Sequence, residues 1–308
     1  MSWQPAATLP ALQQRARDLA AIREFFARRG VLEVETPILG AAGSTDPQIE
    51  SLRLATGSTP WLQTSPEFHM KRLLAAGSGP IYQIARVFRA DEAGRWHNPE
   101  FSLLEWYRPD YDQSALMDEI GALLVALGAP LPGERLSYRQ AFERTLGLNP
   151  HALGEAELRA ALAGCDPPAN LDRDGLLDLA MGLRVAPALG REAPVFVTDF
   201  PASQAALARI GEEGLARRFE LFWQGLELAN GFEELADPRE QARRFAADRE
   251  RRAARGLDDV PADERLIAAL VAGLPDCAGV ALGLDRLFAL LHGESDIAAV
   301  MAFPGERA

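Results

Sequence analysis

Hydrophobic positions in the first thirty residues recur at helical spacing. Leu12, Ala16, Leu19, Ile22 and Phe26 fall on one face, and Gly30 follows as a stop. This predicts a helix over 9–29. The period then changes from 3.6 to 2. Val31-Leu32-Glu33-Val34-Glu35 alternates like a strand and ends before Pro37. Ser65-Pro66-Glu67 reads as a helix start, with Ser65 as N-cap and Pro66 at the first helical position. That helix runs to about Ala76 and stops at Gly77. Two apolar-rich runs, Ile81–Arg89 and Glu100–Arg108, flank a polar loop at Ala90–Asn98 and predict an antiparallel hairpin. Alternation puts Phe101, Leu103, Glu105 and Tyr107 on one face of its second strand.

Residues 112–190 read as mainly helical, with Ser137-Tyr138-Arg139-Gln140 as a capping box. Pro194–Phe200 is a strand. Phe219–Trp223 and Leu226–Leu235 form a strand pair around Gly225. Asp237-Pro238-Arg239-Glu240 is a second capping box, opening a helix that ends near Gly256. A glycine-bounded strand, Gly279–Gly283, runs into a helix beginning around Leu284. Long antiparallel strands among helices predict an α+β fold.

Composition narrows the classes. The 308 residues carry 32 Lys+Arg against 44 Asp+Glu, a net charge of -12. Such acidity disfavours general binding to nucleic acid or to anionic membranes. Lys71 is the sole lysine; Ala- and Arg-rich composition bias accounts for its rarity, and the side chain itself reads as solvated. His69 reads as a helix-face histidine. Two cysteines, Cys165 and Cys277, form no CxxC pair, which favours a reducing, cytoplasmic setting. The N-terminus lacks the pattern of a signal peptide, and no apolar run approaches the roughly 20 residues of a spanning helix.

Three segments bear candidate chemistry. Arg89 ends a strand beside the polar loop that holds Asp91, His97 and Asn98, a placement that suits a phosphate or a surface salt bridge. Glu220 and Glu227 face each other across a tight turn, either as ligands for a hard cation such as Mg²⁺ or as two ordinary surface acids. In Gly279-Val280-Ala281-Leu282-Gly283-Leu284-Asp285-Arg286, Arg286 sits in a first helical turn that disfavours a cation. Its partner is either Asp285 or a bound phosphate. A fourth segment, 239–256, holds seven arginines against three acids. It reads as a solvated helix face or as a docking surface for an acidic partner.

Taken in order, these segments carry a resemblance. Phe88-Arg89, His97-Asn98-Pro99-Glu100-Phe101, Glu220…Glu227…Asn230-Gly231-Phe232 and Gly-x-Ala-x-Gly-x-Asp285-Arg286 resemble motifs 2 and 3 of the class II aminoacyl-tRNA synthetases, after a motif 1 strand ending at Pro37. The likeness covers about residues 10–305 and is to the lysyl-tRNA synthetase catalytic domain. Arg95-Trp96-His97-Asn98-Pro99-Glu100-Phe101, Leu104-Glu105-Trp106-Tyr107-Arg108-Pro109 and Phe200-Pro201-Ala202-Ser203-Gln204-Ala205 resemble the paralogous branch that attaches (R)-β-lysine to elongation factor P.

The resemblance implies the class II catalytic fold, a homodimer formed through motif 1, and bent ATP with Mg²⁺. It implies catalytic roles for Arg89 on the α-phosphate and Arg286 on the γ-phosphate. It places Asp91, His97, Asn98, Phe101 and Glu227 at ATP, and Glu220 and Glu227 at the metal. Glu67, Glu105, Tyr107, Asn230, Phe232, Glu234 and Ala281 are implied at a lysine-like substrate. Asp91 departs from the usual Glu of the lysyl family. Ala281 stands where lysyl-tRNA synthetases have Gly, and its methyl is expected to turn the pocket against α-lysine. Motif 1 begins after a single helix, leaving no room for an anticodon-binding domain. The expectation is one catalytic domain over 1–308, with a helical insertion at about 112–190 and elongation factor P in place of tRNA as acceptor.

Overall fold

The computed structural model describes residues 3–55, 61–90 and 92–308. Helix α1 (Leu9–Ala27) leads into short strands β1 (Leu32–Glu33), β2 (Leu39–Gly40) and β3 (Trp61–Leu62), then helix α2 (Glu67–Ala75). The long hairpin β4 (Ile81–Phe88) and β5 (Glu100–Pro109) follows. Next come α3 (Gln113–Ala126), β6 (Glu134–Ser137), α4 (Tyr138–Leu146), α5 (Glu155–Ala161) and α6 (Arg173–Ala180). The chain continues through β7 (Val195–Pro201), β8 (Leu215–Trp223), β9 (Leu226–Glu233), α7 (Pro238–Ala254) and α8 (Glu264–Gly273). It closes on β10 (Cys277–Gly283) and α9 (Leu284–Leu291).

Among the described residues, an eight-stranded sheet runs in the order β1-β4-β5-β10-β9-β8-β7-β6. Pairing is parallel only at β1–β4 and β6–β7. The last strand in sequence, β10, is central in space, antiparallel to β5 on one side and β9 on the other. The architecture is α+β, as the alternating pattern predicts.

Period-2 alternation sorts the central strands into two faces. Leu104, Trp106, Val280, Leu282, Ala229, Phe219 and Leu221 join the apolar core with residues of α1, α3 and α9. The opposite face carries the polar residues. There, one cross-strand row reads Gln83, Glu105, Ala281, Asn230, Glu220. The next row reads Ile81, Tyr107, Gly279, Phe232, Arg218. Position 231 shares the core face with its cross-strand neighbour Phe219 and has room only for glycine: an added Cβ would lie 2.2 Å from the Phe219 ring.

Four local expectations need correction. The 31–35 run is only a two-residue strand, since a single parallel neighbour, β4, offers it pairing. The 112–190 span contains strand β6, which β7 stabilises by long-range pairing. Ser137 and Gln140 do form the expected capping box, but the one at Asp237 is half made. Asp237 accepts from the N–H groups of Arg239 and Glu240, while the Glu240 carboxylate turns instead to Arg243 and Arg244. Pro66, not Ser65, occupies the cap of α2, although the Glu67 N–H still donates to Ser65 Oγ.

Candidate active site

The polar face of β5, β10, β9 and β8 forms the floor of a cavity of roughly 730 Å³. Its acid end is built by β5, α2 and the end of β9. Glu105 is 1% exposed and accepts hydrogen bonds from Ser65 Oγ at 2.6 Å and Tyr107 Oη at 3.0 Å. Burial first, then the nearby Glu67, pushes the Glu105 carboxyl up to about 8. Glu234, also 1% exposed, is raised by burial and opposed by Lys71. The Tyr107 hydroxyl is held well above its usual range by burial and by Glu105, so it stays a hydrogen-bond donor. Asn230 and Phe232 complete this end, and Asn230 Oδ1 meets no donor among the described residues.

Lys71 overturns the expectation of a solvated side chain. It is 1% exposed, with Glu67 Oε1 at 2.7 Å and Glu234 Oε2 at 2.5 Å from its ammonium. Burial alone would lower its pKa; the two carboxylates outweigh that and raise it. The signal in sequence is Glu67 four residues earlier on the same helix, but the second partner, Glu234, comes from just beyond β9. His69 lines the cavity, with its pKa lowered by burial and by Arg72.

The opposite end is arginine-rich. Arg89 emerges just beyond β4, half-buried, with Glu92 Oε1 at 3.3 Å. Its guanidinium carbon lies 5.2 Å from the Phe101 ring centre, so the residues expected at the α-phosphate and adenine are neighbours. Asp285 does not pair with Arg286. It pairs with Arg15 at 2.7 Å and accepts from the Ser102 N–H, because adjacent helical residues point apart. Arg286 donates instead to the carbonyls of Trp96 and Glu227, both at 3.0 Å, and contacts His97 Nε2 at 2.6 Å. Guanidinium has no acceptor, so His97 must accept at Nε2 and carry its proton on Nδ1. Burial and Arg286 lower the His97 pKa, consistent with a neutral ring. Asn98 is largely committed to holding the loop: it donates to the Glu100 carbonyl and accepts from the Gly305 N–H. Asp91, expected at ATP, lies outside the described residues.

Glu220 and Glu227 line the same cavity but differ sharply. A register shift beyond Leu221 sets Glu227 opposite Phe222, where it is exposed, while Glu220 is buried. Burial and Glu227 push the Glu220 carboxyl up to about 8. Arg218, which sequence reading passed over, lies 2.5 Å from Glu220. Two oxygen donors beside arginines suited to phosphate fit the coordination chemistry of Mg²⁺.

Ala281 sits directly between Glu105 and Asn230 in the cross-strand row and lines the cavity. Gly279 is a further determinant. A Cβ there would come within 2.3 Å of the Tyr107 ring and 2.5 Å of Glu234 Oε1. The small-residue pattern of β10 is the sequence signal for that close approach.

The docking alternative for the α7 region loses support. Six of its seven arginines are ion-paired, and Arg252 is fully buried against Glu50 and the carbonyls of Asp46 and Ile49. The local positive charge is largely neutralised by acids from other elements.

The sequence profile of the tRNA synthetases class II (D, K and N) matches residues 5–307. Proteins named elongation factor P--(R)-beta-lysine ligase from Salmonella paratyphi B and Salmonella schwarzengrund are each 50% identical over 320 aligned positions. The alignments cover 100% of this chain and 98% of each relative. With the antiparallel sheet, the motif residues on its polar face and near-complete coverage, the chain belongs to the class II tRNA synthetases of the D, K and N group.

Proposed function

We propose that this chain is an ATP-dependent ligase that activates (R)-β-lysine as an aminoacyl-adenylate and transfers it to a lysine side chain of elongation factor P. The observation that carries this reading is the polarity of one cavity: buried carboxylates at one end, arginines held by carbonyl acceptors at the other. An amino acid with two ammonium groups and one carboxylate fits between them, because buried charges need partners. The 50% identity to relatives named for this reaction supports it.

In the first step a substrate carboxylate oxygen bonds to the α-phosphorus of ATP. The bond from that phosphorus to the bridging oxygen breaks, and pyrophosphate leaves. The chain supplies position and fixed positive charge: Arg89 toward the α-phosphate and Arg286 toward the γ-phosphate. Three acceptors already orient Arg286, so little reorganisation is needed. Phe101 offers an aromatic face for adenine, with His97 and Asn98 shaping the loop around the nucleotide. Glu220 and Glu227 would hold Mg²⁺, which when bound neutralises phosphate charge. In the second step the acceptor's uncharged amine attacks the adenylate carbonyl, and AMP leaves. No enzyme nucleophile is required.

The same reading takes 1–308 as one catalytic domain with a helical insertion at about 112–190. It takes the active form as a cytoplasmic homodimer that does not charge tRNA. Among the described residues, no helix is long and apolar enough to cross a membrane. Incubating enzyme, ATP and each lysine isomer with elongation factor P or with tRNA tests the reading. Mass spectrometry should show one β-lysyl addition on the protein and none on tRNA. Aminoacylated tRNA with unmodified elongation factor P would replace this reading with that of a tRNA-charging enzyme.

A further inference from the structure

Three carboxylates, Glu67, Glu105 and Glu234, converge on the acid end of the cavity. Glu105 and Glu234 are fully buried, and Glu67 is mostly so. A substrate with two ammonium groups can neutralise only two of them. The third has a resident partner. Lys71 bridges Glu67 and Glu234 from behind, on α2, with its side chain only 1% exposed. One ammonium against three carboxylates leaves two negative charges for a ligand once Glu105 gives up its proton to it. Glu234 keeps an oxygen free for that ligand: Oε1 meets no donor, and the missing side chain of Gly279 leaves the approach to it open.

We propose that Lys71 is a fixed internal counter-ion that sets this end of the cavity to two negative charges, so that the site selects amino acids with two ammonium groups. The proposal rests on the aminoacyl-adenylate reading above and adds a positioning residue to it. Lys71 acts through Glu67 and Glu234, not on the reacting atoms. A monoamino substrate of equal length would leave Glu105 holding its proton and would forgo the second ion pair. A site without Lys71 would hold one carboxylate more than a diamino substrate can neutralise. The groups facing the two bridged carboxylates include Glu105, Tyr107, Arg209 and Cys277. Arg209 is part-exposed and pairs with Asp276, so Lys71 is the buried positive charge in contact with both.

Lys71→Met removes the charge and keeps the side-chain length. In ATP–pyrophosphate exchange, its KM for (R)-β-lysine should rise about tenfold or more, with the KM for ATP little changed. Lys71→Ala opens a space for a small cation, and added ethylammonium should restore the KM, while uncharged ethanol should not. Thermal unfolding of both variants reports whether they fold. On the unaltered enzyme, calorimetry in buffers of different ionisation enthalpy reads the charge count without any substitution. Binding (R)-β-lysine at neutral pH should release about one proton as Glu105 ionises, and 3-aminohexanoate, which lacks the second ammonium, should release none. An unchanged KM in folded Lys71→Met, ethanol rescuing as well as ethylammonium, or equal proton release with both ligands would overturn the proposal. If the unaltered enzyme shows no lysine-dependent exchange, the ligase reading itself falls instead.

Discussion

At the acid end of the cavity, Glu105, Glu234 and Lys71 are each 1% exposed and answer one another by ion pairing or by holding a proton. At the arginine end, Glu227 is exposed, and Arg89 and Arg286 are only half-buried. The difference follows from where the residues sit. The acid end is made by strand interiors and a helix packed over them, so each charge must be matched within the protein. The arginine end is made by a strand end, a loop and a helix start. Arg286 rests on two carbonyls and a neutral histidine, acceptors that orient guanidinium without cancelling its charge, while Arg89 has only the partly exposed Glu92 as a carboxylate partner. One end is pre-neutralised for cations of fixed number; the other keeps positive charge in reserve for an anion.

The largest expected effect tests the arginine end. Arg286→Ala should lower ATP–pyrophosphate exchange by about 10²–10³-fold, with unfolding by urea nearly unchanged. A marked loss of stability instead would show that Arg286 holds the fold, not the phosphate.

The acid end should respond to crowding. Gly279→Ala places a methyl against Tyr107 and Glu234. It should cost about 1–3 kcal/mol of stability and raise the KM for (R)-β-lysine while sparing that for ATP. A normal amino-acid KM in this variant would mean that the substrate does not approach β10 there.

Proton linkage sharpens the contrast further. Burial raises Glu105 from 4.5 to about 8, so the folded state keeps a proton that the unfolded chain releases. That stabilising contribution is fully present below about pH 4.5 and is lost as pH rises to about 8. Without substrate, wild-type stability should therefore fall relative to Glu105→Gln across this window, by at most about 1.4 kcal/mol per pH unit. Urea titrations near pH 5, 6.5 and 8 check this; a pH-independent difference would mean that Glu105 is ionised in the empty site.

The smallest effect concerns one methyl. Ala281→Gly should move the kcat/KM ratio toward α-lysine by about tenfold. Ala281 lies between Glu105 and Asn230, so an unchanged ratio would place isomer selection elsewhere in the pocket.

Much of this was legible in the sequence because it depends on short periods. The period-2 runs put Glu105 and Tyr107 on one face, and the structure joins them by a hydrogen bond. The resemblance to the synthetase motifs implied one site for Arg89, His97, Glu220, Glu227 and Arg286, and all five line one cavity. Other features needed partners far along the chain. The partner of Asp285 is Arg15, and Arg252 is buried against Glu50. Strand β6 exists through its pairing with β7. None of these leaves a local pattern.

Lys71 marks the boundary between the two kinds of knowledge. The sequence alone determined that the chain has one lysine and that Glu67 lies one helical turn before it. It also determined which strand positions share a face, because side-chain direction follows from backbone period. Only the tertiary structure decided that Lys71 is buried, since Glu234 reaches it from just beyond β9, 163 positions later in the chain. Burial, and hence whether a charge is solvated or fixed as a counter-ion, depends on what packs over a residue.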